Sequence, residues 1–237
     1  DECYHLASSS FVSYEFKDEA SFLENNFIGT HSLLSAIKEN SPSCRVYFAG
    51  SSEMFGDARI SPQNEETPFN PRSVYGISKL AAFHIARNYR EHHDLYVSAG
   101  ILYNHESTRR GHQFVTRKIT HSVAKIFLGQ ADYVELGNID AKRDWGYAPD
   151  YVHAMHLMLL HDTPQDYVIA SGKMSSVREF IELSAKELGW NKTEGGKAII
   201  WEKSGLDEIG RRADTNAVVV RVDPRYFRPT EVEQLLG

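Results

Sequence analysis

The 237 residues suffice for one large domain or two small ones, and 41% hydrophobic with 24% charged residues are the proportions of a chain that can bury a core. With 26 basic against 32 acidic side chains, the net charge of −6 and pI near 6.0 argue against a nucleic-acid binder driven by overall charge. No apolar run approaches the ~20 residues of a membrane-spanning helix. The two cysteines, Cys3 and Cys44, are too few for a disulfide scaffold or a four-cysteine zinc site, which makes reducing cytoplasm the expected compartment.

The chain opens Asp1-Glu2-Cys3-Tyr4-His5-Leu6-Ala7, with no initiator Met and no signal-peptide pattern. Residues 2–7 read as a strand, Cys3 to Ala7 as its buried end. Phe22, Phe27, Ile28, Leu33, Leu34 and Ile37 recur at helical spacing over 17–39. Arg45-Val46-Tyr47-Phe48-Ala49 is a short apolar strand, and residues 52–72, with Gly56, Pro62, Pro68 and Pro71, are a loop. A helix is expected over 73–92 with Leu80, Phe83, Ile85 and Ala86 inward, then a buried strand from Leu95 to Leu102. This β-α-β-α-β order implies right-handed crossovers and a parallel sheet.

Beyond residue 103 the pattern loosens. Helices are expected over 114–128 and 150–161, strands over 133–136 and 166–171, with the Met155, Leu157, Met158, Leu159, Leu160 run in the core. Ser176-Val177-Arg178-Glu179 is a capping-box pattern opening a helix over 177–189. Residues 190–197 read as a polar surface loop, Ile199-Ile200-Trp201 and 218–222 as strands, and 229–237 as the opening of a helix. Both ends read as cuts through a fold, so the expectation is a fragment of a longer enzyme lacking both ends. The fold class is α/β: a Rossmann-like doubly wound parallel sheet with a smaller mixed α/β lobe. Residues 1–103 form the cofactor-domain part, without its first βα units, and 104–237 an interleaved lobe carrying the remaining sheet elements.

Tyr75 and Lys79, four apart on a helix, share one face. An ammonium beside a phenol favours phenolate and makes Tyr a usable acid/base near neutral pH. On spacing alone an incidental surface pair is the commoner explanation. Context changes that, because the strand 45–49 ends in Ser51-Ser52-Glu53. In a parallel sheet the carboxyl ends of strands line the ligand crevice. A hydroxyl, a carboxylate, a phenol and an ammonium at one edge make a proton-transfer site. His153 and His156 lack a ligand set with carboxylates and read as partly buried structure. A serine-hydrolase reading fails for want of a Gly-x-Ser-x-Gly elbow.

A strand-end Ser followed by Tyr-x-x-x-Lys resembles the extended short-chain dehydrogenase/reductase superfamily. Longer runs resemble the GDP-mannose 4,6-dehydratase family more narrowly: Pro71-Arg72-Ser73-Val74-Tyr75-Gly76, 104–111, 114–119, 136–146, Val177-Arg178-Glu179-Phe180 and Arg228-Pro229-Thr230-Glu231-Val232. The resemblance implies C4 oxidation of the mannose, water loss across C5–C6 and hydride return to C6 on bound NADP, with NAD as the alternative cofactor and no metal. It implies Tyr75 as the base at the 4-hydroxyl, Lys79 tuning it and holding the nicotinamide ribose, Ser51 bonding the 4-oxygen and Glu53 moving protons in the elimination. Cofactor contacts fall on Leu6, Ala7, Ser8, Ser9, Ser10, Tyr75, Lys79, His105 and Arg110, and substrate contacts on Asn104, Lys118, Arg143, Arg228 and Glu231. Arg109-Arg110 would form a homodimer or homotetramer contact. GDP-mannose is the expected partner, with neither nucleic acid nor membrane. The chain departs from the family pattern at Ser9-Ser10-Phe11, Ser21, Ser51 and Phe55, and lacks the glycine-rich first turn. Other readings are a related nucleotide-sugar dehydratase, epimerase or reductase, or a silent dinucleotide-binding scaffold. The carboxylate of Glu53 favours the dehydratase.

Overall fold

The computed structural model describes residues 1–9, 19–227 and 234–237, which divide into two compact units. The first holds Asp1–His105, Asp144–Met174 and Leu235–Gly237; the second holds Glu106–Arg143 and Ser175–Gln234. Residues 144–174, read from sequence as elements interleaved into the later lobe, fall in the first unit.

The first unit is built on a parallel sheet in the order β1 (Glu2–His5), β2 (Arg45–Ala49), β3 (Val97–Leu102), β7 (Asp166–Ile169). Each of β2 and β3 is an almost uninterrupted buried run, as a parallel strand covered on both faces must be. Between β1 and β2 the chain forms α1 (Glu19–Phe22), a π-helical stretch (Leu23–Ile28) and α2 (Gly29–Asn40). Helix α3 (Val74–His93) joins β2 to β3, and α5 (Ala148–Leu160) precedes β7. Ser73 starts α3 by accepting the Gly76 amide at 3.0 Å, and Asp94 ends it at φ 54°.

The core is Val46, Tyr47, Phe48, Val97, Ala99 and Ile101 beneath Ala82, Phe83 and Ala86 of α3. Gly100 is required by Tyr47: a Cβ there would lie 2.5 Å from the tyrosine hydroxyl. That hydroxyl is buried with no hydrogen-bond partner. Between β2 and α3, the loop is held by Gln63. Its side-chain oxygen accepts from the Tyr103 hydroxyl (2.6 Å) and the Leu236 amide (3.2 Å), while its backbone N–H donates to the Leu236 carbonyl (2.7 Å). Fully buried Asp144 accepts from the Ser171 amide and hydroxyl and from the Gly172 amide, fixing the turn after β7.

In the second unit, α4 (Val115–Phe127) and α6 (Val177–Glu187) pack together. Its sheet runs β5 (Val134–Leu136), β11 (Val218–Val222), β10 (Ile209–Arg212), β9 (Ile199–Glu202), parallel at β5/β11 and antiparallel elsewhere. The capping box at Ser176 and Glu179 is present. Arg178 forks to both Asp140 and Glu208 and stacks on Trp201, tying the 137–143 loop to the helix start. The short strands β4 (Asn104–Glu106), β6 (Lys142–Tyr147), β8 (Met174–Ser176) and β12 (Gln234–Leu235) fall where the chain passes from one unit to the other.

Several expectations need correction. Strand β1 stops at His5, and of Cys3 to Ala7 only His5 is buried. Ile28 is 52% exposed, because the π turn inserts a residue and rotates the helical register by about 100°. Leu157 and Leu160 are exposed, and so are His153 and His156: α5 turns Tyr151, Met155, Met158 and Leu159 inward instead. Gln234-Leu235 is a strand where a helix was expected, while 228–233 lie outside the described residues. Strands β4, β6, β8 and β10, all short and polar, had no periodic signal.

Gly100→Ala should destabilise the chain by about 1–3 kcal/mol through overpacking. Tyr47→Phe, which deletes an unsatisfied hydroxyl, should be neutral or stabilising and should offset part of the Gly100→Ala loss in the double variant. Denaturant midpoints of the four proteins check this.

Candidate active site

The four candidate catalytic residues all belong to the first unit. Ser51 follows the C-terminal end of β2 and starts a 3-10 turn, Ser52–Met54, by accepting the Glu53 amide at 3.3 Å. Its own hydroxyl hydrogen stays available for a ligand oxygen. This turn seats directly on the start of α3, where a Cβ at Gly76 would lie 2.6 Å from the Glu53 carbonyl oxygen. Glycine beside Tyr75 is what lets the Ser51–Glu53 turn approach that closely. Gly56, at φ +52°, then reverses the chain where any Cβ would strike the Asn70 carbonyl.

Lys79 is 5% exposed, and its Nζ donates to the Ala49 carbonyl at 2.9 Å. The Phe48 ring lies 5.6 Å from the same nitrogen. Burial pushes the ammonium pKa down to about 8. One hydrogen is committed to Ala49, which leaves the others for hydroxyls of a ligand such as a ribose. The Tyr75 ring, half-buried, is packed edge-on against Phe22 with centroids 6.3 Å apart.

Beneath this helix runs a polar network that sequence reading missed. Asn26, 2% exposed, accepts the Ser9 amide (2.9 Å) and donates to the Ser9 carbonyl (3.3 Å) and the Ser78 hydroxyl (3.0 Å). Ser78 in turn donates to the Tyr75 carbonyl at 2.8 Å. Thr30 gives its only hydroxyl hydrogen to the Asn26 carbonyl at 2.6 Å, so it must accept from His5, whose Nε2 lies 2.9 Å away. His5 is therefore protonated on Nε2. Burial first, and the Lys79 charge second, hold its pKa below the usual imidazole value. The available signal was Asn26 and Thr30 themselves, a polar pair one helical turn apart.

Leu6, Ala7, Ser8 and Ser9 follow β1, with Leu6 and Ala7 exposed and Ser8 and Ser9 half-buried. An exposed apolar Leu6 beyond a strand's carboxyl end and the spare hydrogens of Lys79 fit a flat ring and a ribose of a dinucleotide. Ser10, Arg228 and Glu231 lie outside the described residues. Asn104 is half-buried in β4, and His105 donates from Nδ1 to the Tyr103 carbonyl (2.8 Å) while stacking on Tyr151.

The remaining candidates belong to the second unit. Arg110 pairs with Glu106 at 3.2 Å and lies 3.6 Å over the Phe114 ring, whereas Arg109 is exposed. Lys118 places its Nζ 3.4 Å from the Tyr226 ring centre, and burial lowers its pKa. Arg143 is buried and donates to the Lys142 carbonyl.

The chain is 48% identical over 238 residues to GDP-mannose 4,6 dehydratases of Drosophila melanogaster and Homo sapiens, covering 100% of itself and 58% and 62% of those proteins. It is 47% identical to the GDP-mannose 4,6-dehydratase of Yersinia enterocolitica, spanning 65% of it. Among solved structures, RMD from Pseudomonas aeruginosa complexed with NADPH is 30% identical with TM-score 0.76, over 80% of this chain and 65% of that one. The dTDP-glucose 4,6-dehydratase DesIV of Streptomyces venezuelae, with NAD and TYD bound, shares the fold at TM-score 0.72 and 24% identity, over 80% of this chain and 57% of that one. A family model described as GDP-mannose 4,6 dehydratase matches residues 1–237, and on that match and these identities the chain belongs to the GDP-mannose 4,6 dehydratase family.

Proposed function

We propose that the protein carrying this chain is a hydro-lyase that converts GDP-mannose to GDP-4-keto-6-deoxymannose in the cytoplasm. The observation that carries the reading is the seating of the Ser51–Glu53 turn on the first turn of the helix bearing Tyr75 and Lys79. NADP is the cofactor in this reading, supported by the NADPH complex of RMD. It would be held by Leu6 to Ser10, Tyr75, Lys79, His105 and Arg110. Bound, it would supply hydride acceptance from sugar C4 and hydride return to C6.

The chain's own residues handle the protons. Tyr75 takes the 4-hydroxyl proton as the C4 hydrogen is lost as hydride, which leaves a carbonyl at C4, and that proton is the one C5 regains when C6 is reduced. Ser51 donates its spare hydrogen to that oxygen. The 4-keto group acidifies the C5 proton, and Glu53 removes it and supplies the proton with which the 6-hydroxyl departs as water. Lys79, held in place by Ala49, keeps a positive charge near Tyr75. Asn104, Lys118, Arg143, Arg228 and Glu231 are assigned to the sugar nucleotide. Self-association through Arg109-Arg110 belongs to the same reading.

Incubation of the protein with NADP and GDP-mannose should yield a product lighter by one water in mass spectrometry. Glu53→Gln should lower turnover by about 10²–10⁴-fold. Conversion of UDP- or dTDP-hexoses in place of GDP-mannose would overturn the substrate, and cofactor binding without any conversion would overturn the enzyme.

The lysine gives a pH test. Its folded pKa of about 8 lies below the ordinary lysine value of 10.5, so the unfolded chain binds more protons between those values. The charging penalty is fully present below about pH 8 and is relieved as the pH rises towards 10.5. Lys79→Met should be more stable than the native chain at neutral pH, by up to a few kcal/mol, and the gap should narrow with rising pH. Urea titrations of both proteins across that range check it.

A further inference from the structure

The face of α4 turned away from the core carries a basic stripe. Arg117, His121 and Lys125 recur every four residues, a stripe about 12 Å long opposite the buried Thr116, Ile119, Val123 and Ile126. His112, from the loop before the helix, sets its ring against that of His121, centroids 4.5 Å apart at 64°. Arg117 and His121 are half-buried, and the Arg117 Nε is withdrawn from solvent with no hydrogen-bond partner. Among the described residues no carboxylate forms an ion pair with any of the four. The nearby basic candidates are already engaged: Arg110 with Glu106, Lys118 with the Tyr226 ring.

We propose that this stripe binds a small phosphate-bearing anion, a phosphate monoester or a diphosphate, gripped by the Arg117 fork and the Lys125 ammonium with His112 and His121 donating. A guanidinium fork matches phosphate oxygens in pairs. The stripe is too short, and too poor in aromatic platforms, to track a nucleic-acid strand. A metal ion would meet two flanking cations and no carboxylate. The site is independent of the reaction proposed above.

Desolvation first, and then the charges of Lys125 and Arg117 on its own helix and of His112 from the loop, lower the pKa of His121; α6 is the helix packed against α4. A bound anion reverses that field and raises the pKa. Binding therefore takes up protons, strengthens as the pH falls through the pKa of the bound state, and levels off below that of the free state. A rise of one unit makes the affinity about tenfold greater at the acid plateau.

Calorimetric titration with inorganic pyrophosphate, at about pH 6 and about pH 8 in buffers of different ionisation enthalpy, tests this. Saturable binding, severalfold tighter at the lower pH with net proton uptake, is expected. Arg117→Gln and, separately, His121→Gln should each weaken it by about tenfold, with near-ultraviolet dichroism unchanged, while Lys192→Gln in the 190–197 loop should not. Absence of saturable binding, equal affinity at both pH values, or indifference to both stripe variants would overturn the proposal. So would affinity for oligonucleotides that grows with their length while pyrophosphate fails to bind.

Discussion

A buried ammonium sets the layout of the first unit. Lys79 sits where solvation is poor, and one strong hydrogen bond to the Ala49 carbonyl holds it there. That bond runs from the second turn of α3 to the last residue of β2, so it fixes the helix against the carboxyl edge of the sheet. The neighbouring titratable group has to remain uncharged, and His5 does so through burial and through the field of Lys79 itself. Lys79 shares this region with a neutral imidazole, threonine and asparagine, so it is the one charge of that group.

The amide of Asn26 solves a second problem. The segment after β1 leaves the sheet, and its backbone groups need partners. Asn26 serves both the amide and the carbonyl of Ser9 and still reaches Ser78, one residue from Lys79. The π turn puts it there. The extra residue that breaks the apolar phase of the helix also swings a polar side chain inward, a recurrent use of such turns.

The parallel β-α-β-α-β frame was legible because its strands are continuous apolar runs and α3 carries a clean start, Ser73 after Pro71. Ser51, Glu53, Tyr75 and Lys79 could be singled out because strand ends and a four-residue helical spacing are local features. Asn26, Thr30 and His5 were harder to see, since Asn26 meets Ser9 and Ser78 across 17 and 52 positions, His5 meets Thr30 across 25, and the helical phase that would have pointed to them is broken. Ile28, Leu157 and Leu160 mislead for a related reason: apolar character predicts a buried face only when the register is known. The short strands β4 and β6 are polar and held by the tertiary fold rather than by propensity.

Gln63 links parts of the chain made far apart in time. Its side chain holds Tyr103, and its backbone and side chain together meet Leu236, more than 170 positions later. On a ribosome the loop between β2 and α3 emerges early, yet its last partners arrive only after almost the whole of the described chain. Until then a nascent chain carries an unfilled place at the end of β3, and the closing of that loop is a late event in biosynthesis rather than a local one.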